Sequence, residues 1–149
     1  MEVSRFSGLV FHNNEQYETI LASERDLKYL STHDPMTGLY NRTYISHILS
    51  DDVKDRRTVV FMFDIDRLKE VNDNHGHAQG DQLITGFAKI LKDSIRETDT
   101  AARIGGDEFT AILYDADEEM ADSIVQRISA LIGERNSALT QDHLALSVS

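Results

Sequence analysis

The chain has 149 residues, a formal net charge of -11, no cysteine and a hydrophobic fraction of 40%. That is enough apolar material for one domain with a short addition. The missing cysteines exclude a disulfide framework and a thiolate zinc site, and the negative balance argues against nucleic acid or an anionic membrane as a main partner.

The longest purely apolar run, Val59 to Phe63, falls far below the roughly 20 residues that span a bilayer, and Met1 to Val10 lacks a signal-peptide pattern. Arg5 to Phe11, with its apolar patch Phe6, Leu9, Val10 and Phe11, is expected to form a short strand at the tail of a preceding domain. Glu15 to Ser31 is helix-favouring, with Tyr17, Ile20, Leu21, Leu27 and Leu30 near one stripe that Ser23 and Glu24 interrupt. The stripe is shorter than the roughly three or four heptads of a secure coiled coil. Two readings stay open, a lone helix lying on its own domain and a dimerising linker.

Pro35 forces the residue before it out of the helical region and ends this helix; Thr37-Gly38 makes a turn, and Asn41 opens a second helix to about Leu49. Asp51 to Arg57 is charged and reads as a surface loop. Thr58 to Phe63 is a continuous β-branched and aromatic run, which predicts a strand buried on both faces and central in its sheet. Its carboxyl end delivers Asp64, Ile65 and Asp66 to the place where open α/β sheets collect ligand groups. Asp66 has an alternative role as the cap of a short helix over Arg67 to Asp73. An EF-hand is excluded, because Leu68 occupies the third ligand position and no glycine follows it.

Asn74 to Gly80 reads as a loop by composition. Asp81 to Glu97 predicts an amphipathic helix through Leu83, Ile84, Phe87, Ile90, Leu91 and Ile95, with Asp81 in its first turn. Thr100 to Ile104 and Phe109 to Tyr114 are expected to pair as an antiparallel hairpin around Gly105-Gly106-Asp107-Glu108. The two glycines permit a tight turn and leave room for a ligand, so the tip can bring both acids close to a phosphate or metal; an ordinary exposed turn has the same composition. Glu118 to Ile132 predicts another amphipathic helix, Gly133 to Asp142 a loop, and His143 to Val148 the start of a strand.

Three stretches in this order carry the chemistry: His33-Asp34-Pro35-Met36-Thr37-Gly38-Leu39-Tyr40-Asn41-Arg42, then Asp64-Ile65-Asp66-Arg67-Leu68-Lys69-Glu70-Val71-Asn72-Asp73, then Arg103-Ile104-Gly105-Gly106-Asp107-Glu108-Phe109. Together they resemble the GGDEF family of diguanylate cyclases. The resemblance implies an α/β (α+β) domain with a nucleotidyl-cyclase palm-like central antiparallel sheet covered by helices. Residues 1–32 are then an upstream remnant and linker helix, and 33–149 the GGDEF domain. It implies a cytoplasmic enzyme that condenses two GTP into cyclic di-GMP with release of two pyrophosphates. A homodimer brings two GTP face to face, and an upstream sensor domain supplies the input.

By the same resemblance Asp64, Ile65 through its carbonyl, and Asp107 match metal ligands for magnesium, with manganese as the alternative. Asp107 also matches the proton acceptor, with Glu108 beside it, and Lys69 a lysine that stabilises the transition state. Asn72 and Asp81 match guanine contacts and His77 a further substrate contact. For Asp81 the role of a plain helix-start acid stays open.

Arg96-Glu97-Thr98-Asp99 is separated from Gly105 by five residues and matches the RxxD site where many members bind their product. The other reading is a helix C-terminus with a favourable cation and a solvated acid. Leu68 and Met36 depart modestly from the family pattern, and the family's later segment, whose lysine and arginine hold the triphosphate, has no counterpart here. The expectation is therefore a C-terminally incomplete domain with little turnover. A non-catalytic module sensing GTP or cyclic di-GMP is the alternative function.

Overall fold

The computed structural model describes residues 3–51 and 56–149. Helix α1 runs Val3–Thr32 without a break. The strand expected at Arg5 to Phe11 is thus absent. A strand gains its hydrogen bonds only from a partner, whereas an established helix adds one per residue as it propagates. Immediately downstream the expected turn and second helix form. The Asp34 carbonyl accepts from the Gly38 N–H at 2.8 Å, and Gly38 takes the turn at φ 69°, a conformation that glycine adopts without strain. Strand β1, Tyr40–Asn41, leads directly into helix α2, Arg42–Asp51. Asn41 caps α2 by accepting the Tyr44 N–H at 3.0 Å. The loop expected over Asp51 to Arg57 falls mostly on 52–55, outside the described residues.

Strands β2 (Thr58–Asp64), β3 (Thr100–Arg103) and β4 (Glu108–Tyr114) complete a sheet of order β1-β3-β4-β2. β1 and β3 are parallel and the other two pairings antiparallel. Helices α3 (Leu68–His75), α4 (His77–Ser94) and α5 (Glu118–Ser137) follow the strands. The mixed α+β class read from the sequence is the observed one. The main core lies between the sheet and α4 and α5. There the Phe87 ring meets Phe63 and Phe109 edge-on, with centroids 5.5 and 5.0 Å apart. A smaller core joins α2 to the opposite face through Ile45, Ile48, Ala102 and Ile112.

Several boundaries move, each for a local reason. β2 is neither central nor buried on both faces: it is the last strand in the sheet order, with Val60 45% and Met62 74% exposed. Its alternate residues Val59, Phe61 and Phe63 pack on the main core, while on the other face α2 packs over β1, β3 and β4. The loop expected at Asn74 to Gly80 reduces to Gly76, whose φ of 89° ends α3 and starts α4 in one residue. Asp81 is consequently the fifth residue of α4 rather than a first-turn acid. Helix α5 passes through Gly133 to Ser137, because its last turn grips the segment beyond it. Arg135 donates to the Leu144 carbonyl at 2.8 Å, and the Asn136 amide both donates to and accepts from the Leu146 backbone at 2.8 Å. Thus held, Asp142–Leu144 forms a 3-10 turn, and the strand expected over His143 to Val148 shrinks to a bridge between Val148 and Ile65.

Candidate active site

The pairing of β2 with β4 places the two acidic motifs side by side. Asp64 stands opposite Glu108 in the register, and the Ile65 N–H donates to the Asp107 carbonyl at 3.0 Å. Asp64, Ile65, Asp107 and Glu108 therefore converge at one end of two adjacent strands, although 42 positions separate Ile65 from Asp107 in the sequence. Partial desolvation, followed by the charges of Asp107, Glu108 and Asp66, raises the Asp64 pKa above the ordinary carboxylate value. Like charges held together in this way suit a hard divalent cation with oxygen ligands. Among the described residues no three His, Cys, Asp or Glu side chains suffice to hold a metal by themselves. The oxygen donors gathered at this point are the Asp64 and Asp107 carboxylates and the backbone of Ile65.

This electrostatic arrangement has a measurable sign. A carboxyl whose folded pKa is raised favours the folded state when protonated, so its contribution is present at acid pH and is lost as pH rises through the folded pKa. Asp64→Asn is accordingly expected to raise the melting temperature of the cation-free protein at neutral pH. The gain should fade as pH falls to the ordinary carboxylate range. A lower melting temperature at neutral pH would contradict this electrostatic account.

The two glycines divide their roles. Neither Gly105 nor Gly106 has a positive φ. A Cβ on Gly105 would lie 2.8 Å from Glu108 Oε2, while one on Gly106 would meet nothing within 4 Å. The first glycine makes room for the Glu108 carboxylate, and the second leaves the tip open to approach.

Two residues without an assigned role hold this tip. Arg103 donates to the Gly105 carbonyl at 3.0 Å and the Gly106 carbonyl at 2.9 Å, and its Nη1 reaches Asp34 at 3.3 Å. Asp34 also accepts the Thr37 N–H and hydroxyl at 2.9 and 2.7 Å. No local pattern announces a pair 69 positions apart. Asp66 does not cap α3, whose N-cap is Arg67 in the left-handed region. It accepts instead from the Ser147 and Ser149 hydroxyls at 2.6 and 3.1 Å, which dock the last residues beside the site.

Lys69 is exposed in the first turn of α3. His77 and Asp81, one helical turn apart on α4, are exposed on one face. Asn72 lies against α4 so closely that a Cβ on Gly80 would sit 1.9 Å from its Oδ1. That buried oxygen has no hydrogen-bond partner, and an orphaned buried acceptor costs about 1 to 3 kcal/mol. The α3–α4 junction thus brings Asn72 beside Gly80, the residue preceding Asp81.

Arg96 and Asp99 are spent on each other. Arg96 Nε and Nη2 fork onto the Asp99 carboxylate at 2.9 Å each, and Nη2 also donates to the Tyr114 carbonyl at 2.7 Å. The carboxylate accepts the Arg96 and Tyr114 N–H groups as well, at 3.0 and 3.2 Å. The Asp99 side chain is 1% exposed, so it is not the solvated acid of the plain helix-end reading, while Arg96 is 45% exposed. Both border a cleft of about 530 Å3 with His33, Tyr40 and Lys92. No helix among the described residues is long and apolar enough to cross a membrane.

Comparison with known proteins agrees with this arrangement. Probable diguanylate cyclase DgcJ of Escherichia coli (strain K12) is 43% identical over 100 residues, covering 64% of this chain and 20% of that protein. Diguanylate cyclase TpbB of Pseudomonas aeruginosa (strain UCBPP-PA14) is 32% identical over 145 residues, covering 90% and 33%. The chain spans about a third or less of the length of these relatives. Among solved structures, the GGDEF domain of DgcB from Caulobacter crescentus in complex with c-di-GMP is 26% identical with a TM-score of 0.68, over 80% of this chain and 74% of that one. The isolated GGDEF domain of TpbB from Pseudomonas aeruginosa (PAO1) is 36% identical with a TM-score of 0.63, over 68% and 62%. A family model described as diguanylate cyclase, GGDEF domain, matches residues 31–149. With its two acidic motifs joined across β2 and β4, the chain belongs to the GGDEF-domain family of diguanylate cyclases.

Proposed function

We propose that this domain condenses two GTP into cyclic di-GMP and two pyrophosphates. The observation that carries the reading is the convergence of Asp64, Ile65 and Asp107 through the β2–β4 pairing. In each half-reaction a ribose 3'-hydroxyl oxygen bonds to the α-phosphorus of the other GTP, the bond from that phosphorus to pyrophosphate breaks, and the hydroxyl proton leaves. Asp107 accepts that proton, with Glu108 adjacent to it. Lys69 offsets charge developing on the phosphates. Magnesium, or manganese in its place, held by Asp64, the Ile65 carbonyl and Asp107, supplies charge neutralisation at the phosphates. The Asn72 side-chain amide and the Asp81 carboxylate contact the guanine edge, and His77 contacts the substrate. One domain offers one such set of groups, so a homodimer with one GTP per chain completes the reaction. Because GTP is the substrate, the reaction is assigned to the cytoplasm, with an upstream sensor acting through α1.

Gly80→Ala tests the base pocket. Its Cβ displaces the Asn72 amide, and GTP affinity is expected to fall by about tenfold or more, the worth of one good hydrogen-bond pair to a buried group. Unchanged affinity in calorimetric titration would remove Asn72 from base recognition.

Arg96 and Asp99 are assigned to product inhibition, a reading supported by the cleft they border. Cyclic di-GMP must draw the Arg96 fork away from Asp99, so its affinity carries that cost. Arg96→Ala is expected to weaken cyclic di-GMP binding about tenfold. Equal binding would leave the pair a structural clasp.

Incubation with GTP and magnesium, followed by chromatography for cyclic di-GMP, tests the main reading. Product formation supports it. GTP or cyclic di-GMP binding without turnover favours a non-catalytic binding module, and absence of both turnover and GTP binding overturns the assignment.

A further inference from the structure

We propose that His33 is a positioning residue: with Tyr29, Tyr40 and Tyr44 it locks α1 to the sheet, and through Asp34 and Arg103 the orientation of α1 sets that of the Gly105-Gly106-Asp107-Glu108 tip. Four rings from α1, the turn after it, β1 and α2 form one column. Tyr29 stacks on His33 with centroids 3.9 Å apart and planes 9° apart, His33 meets Tyr40 at 4.6 Å, and Tyr40 stacks on Tyr44 at 3.8 Å and 11°. Each stacked pair adds to simple area burial.

The His33 ring is held in the column by Nδ1, which lies 2.8 Å from Thr32 Oγ1 and 3.2 Å from the Tyr29 carbonyl. The backbone closes the same joint. His33 bridges Tyr40, and the Asn41 amide donates to the Ser31 carbonyl at 3.0 Å. Tyr29 is itself half exposed and is held through its stacked face, whereas Tyr17, Ile20 and Leu27 farther along α1 are exposed with no ring stacked on them among the described residues. The helix is about 45 Å long and clamped at its base, which is the geometry of a lever.

Beyond the clamp the path is short. Asp34 follows His33 in the chain and bonds to Arg103, which grips the Gly105 and Gly106 carbonyls. A rotation of α1 that carries the ring column therefore moves Asp34 and, with it, the support of Asp107 and Glu108. The path is contiguous: each link is a packed ring, the His33–Asp34 peptide or a hydrogen bond. The tip half of the proposal rests on the assignment of Asp64 and Asp107 made above; the α1 half does not.

The chain has no cysteine, so spin labels can be introduced at Glu18→Cys on α1 and Lys89→Cys on α4, both exposed positions. The labelled chain is diluted with unlabelled chain to isolate distances within one molecule. A single narrow distance distribution is expected for the parent and for His33→Phe, which keeps a ring in the column. His33→Ala is expected to broaden it, with the undocked fraction rising roughly tenfold, and Tyr29→Ala, on the helix itself, should do the same without endangering the domain. In separate unlabelled samples, manganese titration should show affinity at the tip several-fold weaker in His33→Ala and restored in His33→Phe. Narrow distributions in both alanine variants overturn the lock. Broadening with unchanged manganese affinity overturns the coupling to the tip. If the parent itself binds no manganese, the carboxylate assignment and the tip half fall with it, while the distance widths still decide the lock.

Discussion

Asp107→Asn, made in the full-length protein, is expected to lower magnesium-dependent formation of cyclic di-GMP by about a hundredfold or more, the scale seen when one charge-stabilising group is removed from an active centre. The fold should survive. What Asp107 contributes to the architecture is its carbonyl, which accepts the Ile65 N–H, and asparagine keeps that bond and the side-chain shape. What it loses is a charged ligand and a proton acceptor. The variant should also let the Asp64 pKa move back toward the ordinary carboxylate value, because Asp107 is the first of the charges that raise it. Circular dichroism, a melting curve and a product assay on one preparation separate these effects. Retained cyclase activity would remove Asp107 from the mechanism.

Asp99→Ala should have the largest effect on stability, about 3 kcal/mol, or a melting temperature lower by about 6 to 12 °C for a chain of this size. Its carboxylate is buried and accepts from the Arg96 backbone, both arms of the Arg96 fork, and the Tyr114 N–H that begins the turn after β4. Alanine removes the acceptor of all four bonds, and only Arg96, which is 45% exposed and keeps its bond to the Tyr114 carbonyl, has another partner at hand. Arg96→Ala, on the partly exposed partner, should cost about 1 kcal/mol. The sequence treated the two residues as equal members of a binding motif. Their unequal burial predicts that the acid acts first as a structural brace, and equal melting temperatures for the two variants would contradict that prediction.

The acidic stretches were legible because each is local. Acids at the end of a β-branched run, and acids after paired glycines between two extended runs, are visible in the sequence, and the family resemblance set them apart from an ordinary exposed turn. For the same reason the helices with apolar stripes, the Asn41 cap and the turn at Gly38 were readable. Their meeting was not. That Asp64 faces Glu108 is set by the antiparallel register of β2 and β4, and register depends on which strands find each other.

The misjudged elements share this dependence on distant parts. Thr58 to Phe63 reads as buried on both faces because it is apolar throughout, yet Val60 and Met62 are exposed: burial is decided by what covers a face, and α2 covers β3 and β4 instead. Asn74 to Gly80 reads as a loop from its polar and glycine content, but packing of α3 on α4 outweighs weak propensity, and only Gly76 must leave the helix. Asp66, poised by sequence to cap a helix, is claimed by hydroxyls more than 80 positions away. Sequence by itself determined which residues carry charge, where the chain turns and which faces are apolar, since those follow from side-chain chemistry within a few residues. Tertiary structure alone decided that Arg103 and Asp34 brace the tip and that Asp99 is buried, because hydrogen bonds between remote segments exist only once the sheet has brought them within reach.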